Sequence, residues 1–482
     1  MFKKSNLFAV LVVVVMLVSA CAPAAPAAPA STSAPVEVTR IVEVAAEPVV
    51  KEVVVTATPA PVASAREPIT LWFWGAPPNL QEAFQKALIE PFNASQDQYE
   101  LQMEYNNDVD NNVRVSVLAG EGPDLVYTSG PSYIAPLAKA GVLEPLDRYA
   151  EQYGWSDRLL KPVLDTCRQL GYLYCMPPSL ISDGMFYNRT LLKEKGWSVP
   201  KTLKEVETIM KAAQAEGLYA SVTGNKGWQP VNENYASIFI NGIVGPQLFY
   251  EILSTGKGWE SPEMVKAIEE SARWFKAGYL GGSDYFSLNF DESISLVSQK
   301  RSPFFFAPSM GFQWATNYFT GDTAEDFAFA PIPQLSESVP YPVYDLGVAF
   351  TLSINANSKV KDGAAMVLDH IFSSEFAAEM AKVWPGYWGI PLKDFPTDPD
   401  ATGLTKSFLE AMAAMTAAVD KGSFGFKIGT FFPPATSQVM FEDIESVWLD
   451  KMSVADMLKK AASTYAEEKA QGLVQDLPKP AP

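Results

Sequence analysis

Between residues 22 and 67 there is no aromatic side chain, whereas all eleven tryptophans of the chain lie at or after Trp72. A stretch without large side chains cannot bury enough apolar surface to offset the entropy of ordering it. Folding into a core is therefore expected only from Pro68 onward. The span 68–482 is longer than one hydrophobic core usually supports, which predicts two lobes. Residues 22–67 carry seven Pro and thirteen Ala. Although VEVTRIVEV (36–44) and VVKEVVVTATP (49–59) alternate with strand period, the surrounding prolines favour a tether, residues 21–67 in all, with a flexible reach of about 40 Å.

In front of this tether, Lys3 and Lys4 precede an uninterrupted apolar run from Leu7 to Val18. That run is shorter than the roughly 20 residues needed to span a bilayer. The following Val-Ser-Ala-Cys resembles the lipobox of bacterial lipoproteins. The resemblance implies that residues 1–20 are a removed signal peptide and that Cys21 is acylated, anchoring the chain outside the cytoplasmic membrane.

Composition then removes several function classes. Lys and Arg number 37 against 55 Asp and Glu, for a net charge of −18, and no basic run offers a footprint for nucleic acid. His370 is the only histidine, so multi-His metal sites are excluded, as is a Ser-His-Asp relay without it. DVDNNVRVSVLA (108–119) begins like a calcium loop, but Val113 stands where Gly is needed and Ala119 where a bidentate acid is needed. The twelfth residue from Asp398 of DPDATG is Leu409. No metal and no cofactor is expected.

The folded part opens with ITLWFWG (69–75), an apolar strand stopped by Gly75. Residues 79–92 have helical spacing with Asn79 as the expected N-cap. LQMEY (101–105) reads as a second strand, 112–119 as a helix, and PDLVYTS (123–129) contains a third strand. This alternation predicts an α/β fold with a mainly parallel sheet.

VSVLAGEGPDLVYTSGPSYIAPLAKAGVLEPLD (115–147) resembles the N-terminal-lobe signature of the extracellular solute-binding protein family that serves ATP-binding-cassette importers and contains maltose-binding protein. Further matches follow in order at 172–206, FAFAPIPQ (327–334), 352–381, GIPL (389–392) and 447–468. The resemblance implies a two-lobed periplasmic-binding-protein fold with a hinge and an interlobe cleft. In this order of matches, lobe one is 68–180 plus 331–389 and lobe two is 183–329 plus 392–482. It also implies a non-catalytic monomer that delivers a solute to permease subunits.

A cleft for sugar needs flat aromatic faces and fixed hydroxyl-pairing groups. Trp72 and Trp74 share one face of the first strand near its carboxyl end, where open α/β sheets bind ligands. The family pattern places Thr128, Ser129, Trp228 and Trp314 at the cleft. Ser182 and Asp183 fall near the expected hinge, and Tyr344, Asp345 and Trp388 complete the set. Asp124 is read as pinning its turn. The ring of aromatics with two carboxylates points to a mono- or oligosaccharide. The alternatives are a non-sugar solute, or a secreted glycoside-active enzyme with two carboxylates across the cleft.

Cys167 and Cys175 flank RQLGYLY, in which Gly171 reads as a hairpin turn. In an oxidising compartment the two are expected to form a disulfide.

Overall fold

The computed structural model describes residues 66–227 and 231–482. The expected signal peptide, Cys21, almost the whole tether and Trp228 lie outside the described residues.

Three strands begin the body: β1 (Glu67–Trp74), β2 (Tyr99–Asn106) and β3 (Leu125–Thr128). A short hairpin follows, β4 (Arg168–Gln169) and β5 (Tyr172–Leu173), and then β6 (Leu180–Ile181) and β7 (Asp183–Asn188). The remaining strands are β8 (Phe304–Pro308), β9 (Phe327–Ala330), β10 (Tyr344–Val348), β11 (Thr351–Ile354) and β12 (Phe424–Phe426).

The first sheet has the order β11-β3-β1-β2. Its β1 runs parallel to both β2 and β3, and β11 closes it antiparallel to β3 with Thr351 opposite Thr128. The alternation along β1 is clean: Ile69, Leu71 and Phe73 are fully buried, while Thr70, Trp72 and Trp74 are half-buried on the other face. Asp124 fastens this sheet. Its Oδ2 accepts from the Thr70 amide and hydroxyl at 2.9 and 2.8 Å, and its Oδ1 accepts from Ser358. The second sheet, β8-β7-β9, is antiparallel throughout, so the expected parallel pairing holds around β1 and not here.

The helical region after β1 departs from the single helix expected over 79–92. It starts at Pro78, whose fixed φ suits a first helical turn, and Asn79 does not cap it. It then widens into a π turn over Gln85–Ile89 before resuming at Glu90–Ser95. Pro91 has no N–H to donate to the preceding turn, which accounts for the break.

Two buried clusters form the cores. One draws on residues 69–176 and 350–392, centred on a stack in which Trp388 lies parallel to Phe73 at 6.0 Å and to Phe84 at 5.0 Å. The other draws on residues 160–348 and 381–465. Ile332, Leu335, Tyr344, Leu346 and Val348 all pack into this second cluster, so the chain returns to the first core near Phe350 rather than at residue 331. The body is thus two α/β lobes, and β6 pairs with β10 where the chain passes between them, Ile181 facing Gly347 and Leu180 facing Val348.

Cys167 and Cys175 are disulfide-bonded across the β4–β5 hairpin, with Leu170 and Gly171 both at positive φ in its two-residue turn. Among the described residues no single helix is long and apolar enough to cross a membrane.

Candidate functional site

A cavity of about 510 Å³ opens between the two cores. From the first core it takes Trp74 at the end of β1, Tyr127 in β3, and Tyr387. These rings are held by one another: Tyr387 stacks on Phe350 at 4.8 Å and on Trp384 at 4.8 Å, and Trp74 leans on both Trp384 and Tyr387. A rigid aromatic wall of this kind presents a flat face at little entropic cost. Burial pushes the Tyr127 and Tyr387 hydroxyls well above the usual phenol range, so both stay protonated.

The opposite wall is polar. Glu233 and Asn234 enter from the first turn of the helix Val231–Ile243, and Lys427 follows β12 directly. All three are almost fully buried. An acidic residue in a first helical turn is favoured by the exposed N–H groups there. Glu233 Oε1 is crowded: it accepts from the Gly429 amide at 2.7 Å and from Ser237 Oγ at 3.4 Å, and lies 3.2 Å from Lys427 Nζ. Its Oε2 takes no hydrogen bond from the described residues and is free to accept from a ligand.

Lys427 Nζ spends its donors on protein. It reaches Asp183 Oδ2 at 2.6 Å and Asn234 Oδ1 at 2.8 Å besides Glu233. Burial alone would lower its pKa, but Asp183, Glu233 and Asp345 together more than reverse this and raise it, so the ammonium persists. Behind it, Asp345 Oδ1 accepts from Ser182 Oγ at 2.8 Å and from the Asp183 amide at 2.6 Å. The pKa values of the Asp183 and Asp345 carboxyls are both raised, and Asp183 Oδ1 and Asp345 Oδ2 are buried without a hydrogen-bond partner among the described residues. Burial is the main cause that raises both, and the Asp345 charge raises Asp183 further.

One donor in the cavity wall, Asn234 Nδ2, is buried without a partner among the described residues. Such a group is costly unless something bonded to it completes the set.

Of the residues singled out in the sequence, the cavity brings together Trp74, Ser129 and Trp314. Ser129 is half committed, since its amide and hydroxyl both donate to Asp110, at 2.8 and 2.5 Å. Seven others stand outside the lining. Trp72 is set two residues back from the strand end and packs on the first core. Thr128 Oγ1 is tied to Thr351 Oγ1 at 2.6 Å and to the Gly130 carbonyl at 3.0 Å. Trp388 is fully buried in the aromatic stack, and Tyr344 is buried in the second core. Ser182, Asp183 and Asp345 form the buried network and reach the cavity only through Lys427.

Tyr127, Tyr387, Glu233, Asn234 and Lys427 were not singled out. Signals for the charged members existed: Lys427 is the one cation in FGFKIGTFF (424–432), and Glu233 heads the largely apolar NENYASIFINGI (232–243). A lone charge in such a run predicts a buried, paired one.

The family model of bacterial extracellular solute-binding proteins matches residues 77–378. The chain belongs to that family. As a solute-binding protein it is extracytoplasmic. Among its relatives, the maltotriose-binding protein of Pyrococcus abyssi is 26% identical over 54% of this chain and 52% of the relative. The diacetylchitobiose binding protein NgcE of Streptomyces coelicolor is 23% identical over 55% and 58%. This solute-binding protein thus matches about half the length of those curated relatives. A solved chitin oligosaccharide binding protein superimposes with a TM-score of 0.69 at 17% identity, covering 84% of this chain and 99% of that one. Maltose-bound T. maritima MalE3 gives 0.65 at 18%, covering 83% and 99%. At these identities the likeness shows the shared fold.

Proposed function

We propose that this solute-binding protein captures a carbohydrate between its lobes and delivers it to the permease of an ATP-binding-cassette importer. The observation that carries the reading is the pairing of walls: the aromatic face of Trp74, Tyr127 and Tyr387 opposes Glu233 and Asn234, which offer a free carboxylate oxygen and a free amide. Aromatic faces suit the C–H faces of pyranoses, and the polar wall suits their hydroxyls. The relatives' names, maltotriose- and diacetylchitobiose-binding, support the same class.

The receptor is not an enzyme in this reading. Glycoside hydrolysis uses two carboxyl groups flanking the bond, about 5–9.5 Å apart. Among the described residues lining the cavity, Glu233 is the one carboxylate, and it is already paired with Lys427. The protein acts as a monomer held at the membrane by a lipid on Cys21, with 21–67 as the leash. Titration with maltotriose, diacetylchitobiose and their monosaccharides, followed by tryptophan fluorescence, tests this. Saturable quenching with the sugar recovered intact is expected. Sugar turnover, or no response to any carbohydrate in a broad panel, overturns it.

A further inference from the structure

Trp314 is the wall of a second cavity as well as the first. This neighbouring space, about 430 Å³, is lined by Lys226, Gly227, Asn289, Phe290 and Asp291 together with Trp314. The Trp314 ring meets Phe290 edge-on at 4.9 Å, which steadies an indole that is otherwise half-exposed between the two spaces.

The polar groups of this second space, half-buried Asn289 and Asp291 with exposed Lys226, are partly uncommitted. Asn289 caps the helix Phe290–Ser298 with its Oδ1, which accepts from the Glu292 amide at 2.7 Å, leaving its amide Nδ2 without an acceptor among the described residues. Asp291 Oδ2 accepts from the Tyr318 hydroxyl, leaving Oδ1 without a hydrogen bond from the described residues. Lys226 makes no ion pair with the described residues. A donor, an acceptor and one charge of each sign suit a neutral, hydroxyl-rich group better than an ion. The two spaces each fall within the roughly 300–1,000 Å³ of a small-ligand pocket, and they share an aromatic residue of the type on which sugar rings stack.

We infer that the site is bipartite and that its ligand is a neutral carbohydrate of two or more rings, one ring against Trp74 and Tyr387 and the next beyond Trp314, between Asn289 and Asp291. This rests on the carbohydrate reading above and goes further by assigning ligand length and a second set of contacts.

Calorimetric titration of the mature chain with glucose, maltose and maltotriose, and with N-acetylglucosamine and diacetylchitobiose, tests the inference. In whichever series binds, the dissociation constant should fall at least tenfold from one ring to two or three. Asp291→Asn and Lys226→Ala should each weaken the longer sugar at least threefold and leave the monosaccharide unchanged. A monosaccharide that binds as tightly as its oligomers overturns the bipartite site while leaving the carbohydrate reading intact. So do variants that weaken both lengths equally or neither. Binding of no carbohydrate in either series or in a wider panel overturns the carbohydrate reading, and the bipartite site falls with it.

Discussion

The two walls of the cavity solve different problems. The first-core wall is made of rings that support one another, Trp74 on Trp384 and Tyr387, and Tyr387 on Phe350. Its side chains are uncharged and are held mainly by ring contacts with one another. The second-core wall is made of charges taken out of water, and each of them depends on a partner from another part of the chain: Lys427 on Asp183, Glu233 and Asn234, and Glu233 on Gly429. On the carbohydrate reading, the contrast predicts that the aromatic residues carry affinity with modest consequences for folding, whereas the charged residues carry folding as well.

Lys427→Met is the most severe way to test that contrast. It removes the one ammonium among three carboxyl groups and leaves buried acids uncompensated, a class of change that costs about 3–5 kcal/mol. Urea unfolding should show a loss of that size even without ligand. A loss below 1 kcal/mol would mean that the charged wall is not structural. Trp74→Ala is the counterpart on the other wall. It should weaken sugar binding at least tenfold, about 1.4 kcal/mol, with a smaller effect on the urea midpoint than Lys427→Met, and Trp74→Phe should recover part of the affinity.

Asp345→Asn sharpens the comparison through pH. Asp183 and Asp345 titrate above the ordinary carboxyl value of 3.8 in the folded chain. Between that value and the raised one the folded state holds more protons than the unfolded state, so stability falls as pH rises through this window. The Asn variant keeps an acceptor for Ser182 and for the Asp183 amide but removes one of the titrating groups. Its melting temperature should decline less steeply than the parent's from about pH 4 to pH 8, and an identical slope would sink the account in which burial holds these acids above their ordinary value. Trp72→Phe should do least, changing affinity less than twofold, because Trp72 packs on the first core and does not line the cavity.

The same asymmetry explains what could be read in advance. The first strand and its ring-bearing edge were legible because WFWG combines strand alternation with a glycine stop, and Trp74 duly reaches the cavity. Asp124 was legible as a pin because its turn follows a short helix and precedes a strand. Lys427 and Glu233 were harder. They are 194 positions apart in the numbering, and only the packing of the helix Val231–Ile243 against the residues after β12 brings them to 3.2 Å. Trp388 misled for the opposite reason. It is next to a lining residue, Tyr387, but the chain turns its ring into the stack with Phe73 and Phe84, and composition carries no sign of which of two adjacent aromatics faces inward.

The passage between lobes is narrow at β6 and β10, which share two rungs, and there the structure is intolerant of bulk. A Cβ at Gly347 would stand 2.7 Å from Lys427 Cδ and 2.9 Å from the Ile181 carbonyl oxygen. A receptor's apparent affinity is its intrinsic affinity scaled by the fraction of molecules already in the competent arrangement. A methyl group at position 347 would push on the strand pair that joins the lobes and on Lys427 in the cavity wall, and is expected to change that fraction. Tight and weak versions of this receptor can therefore differ at a residue that no ligand atom touches.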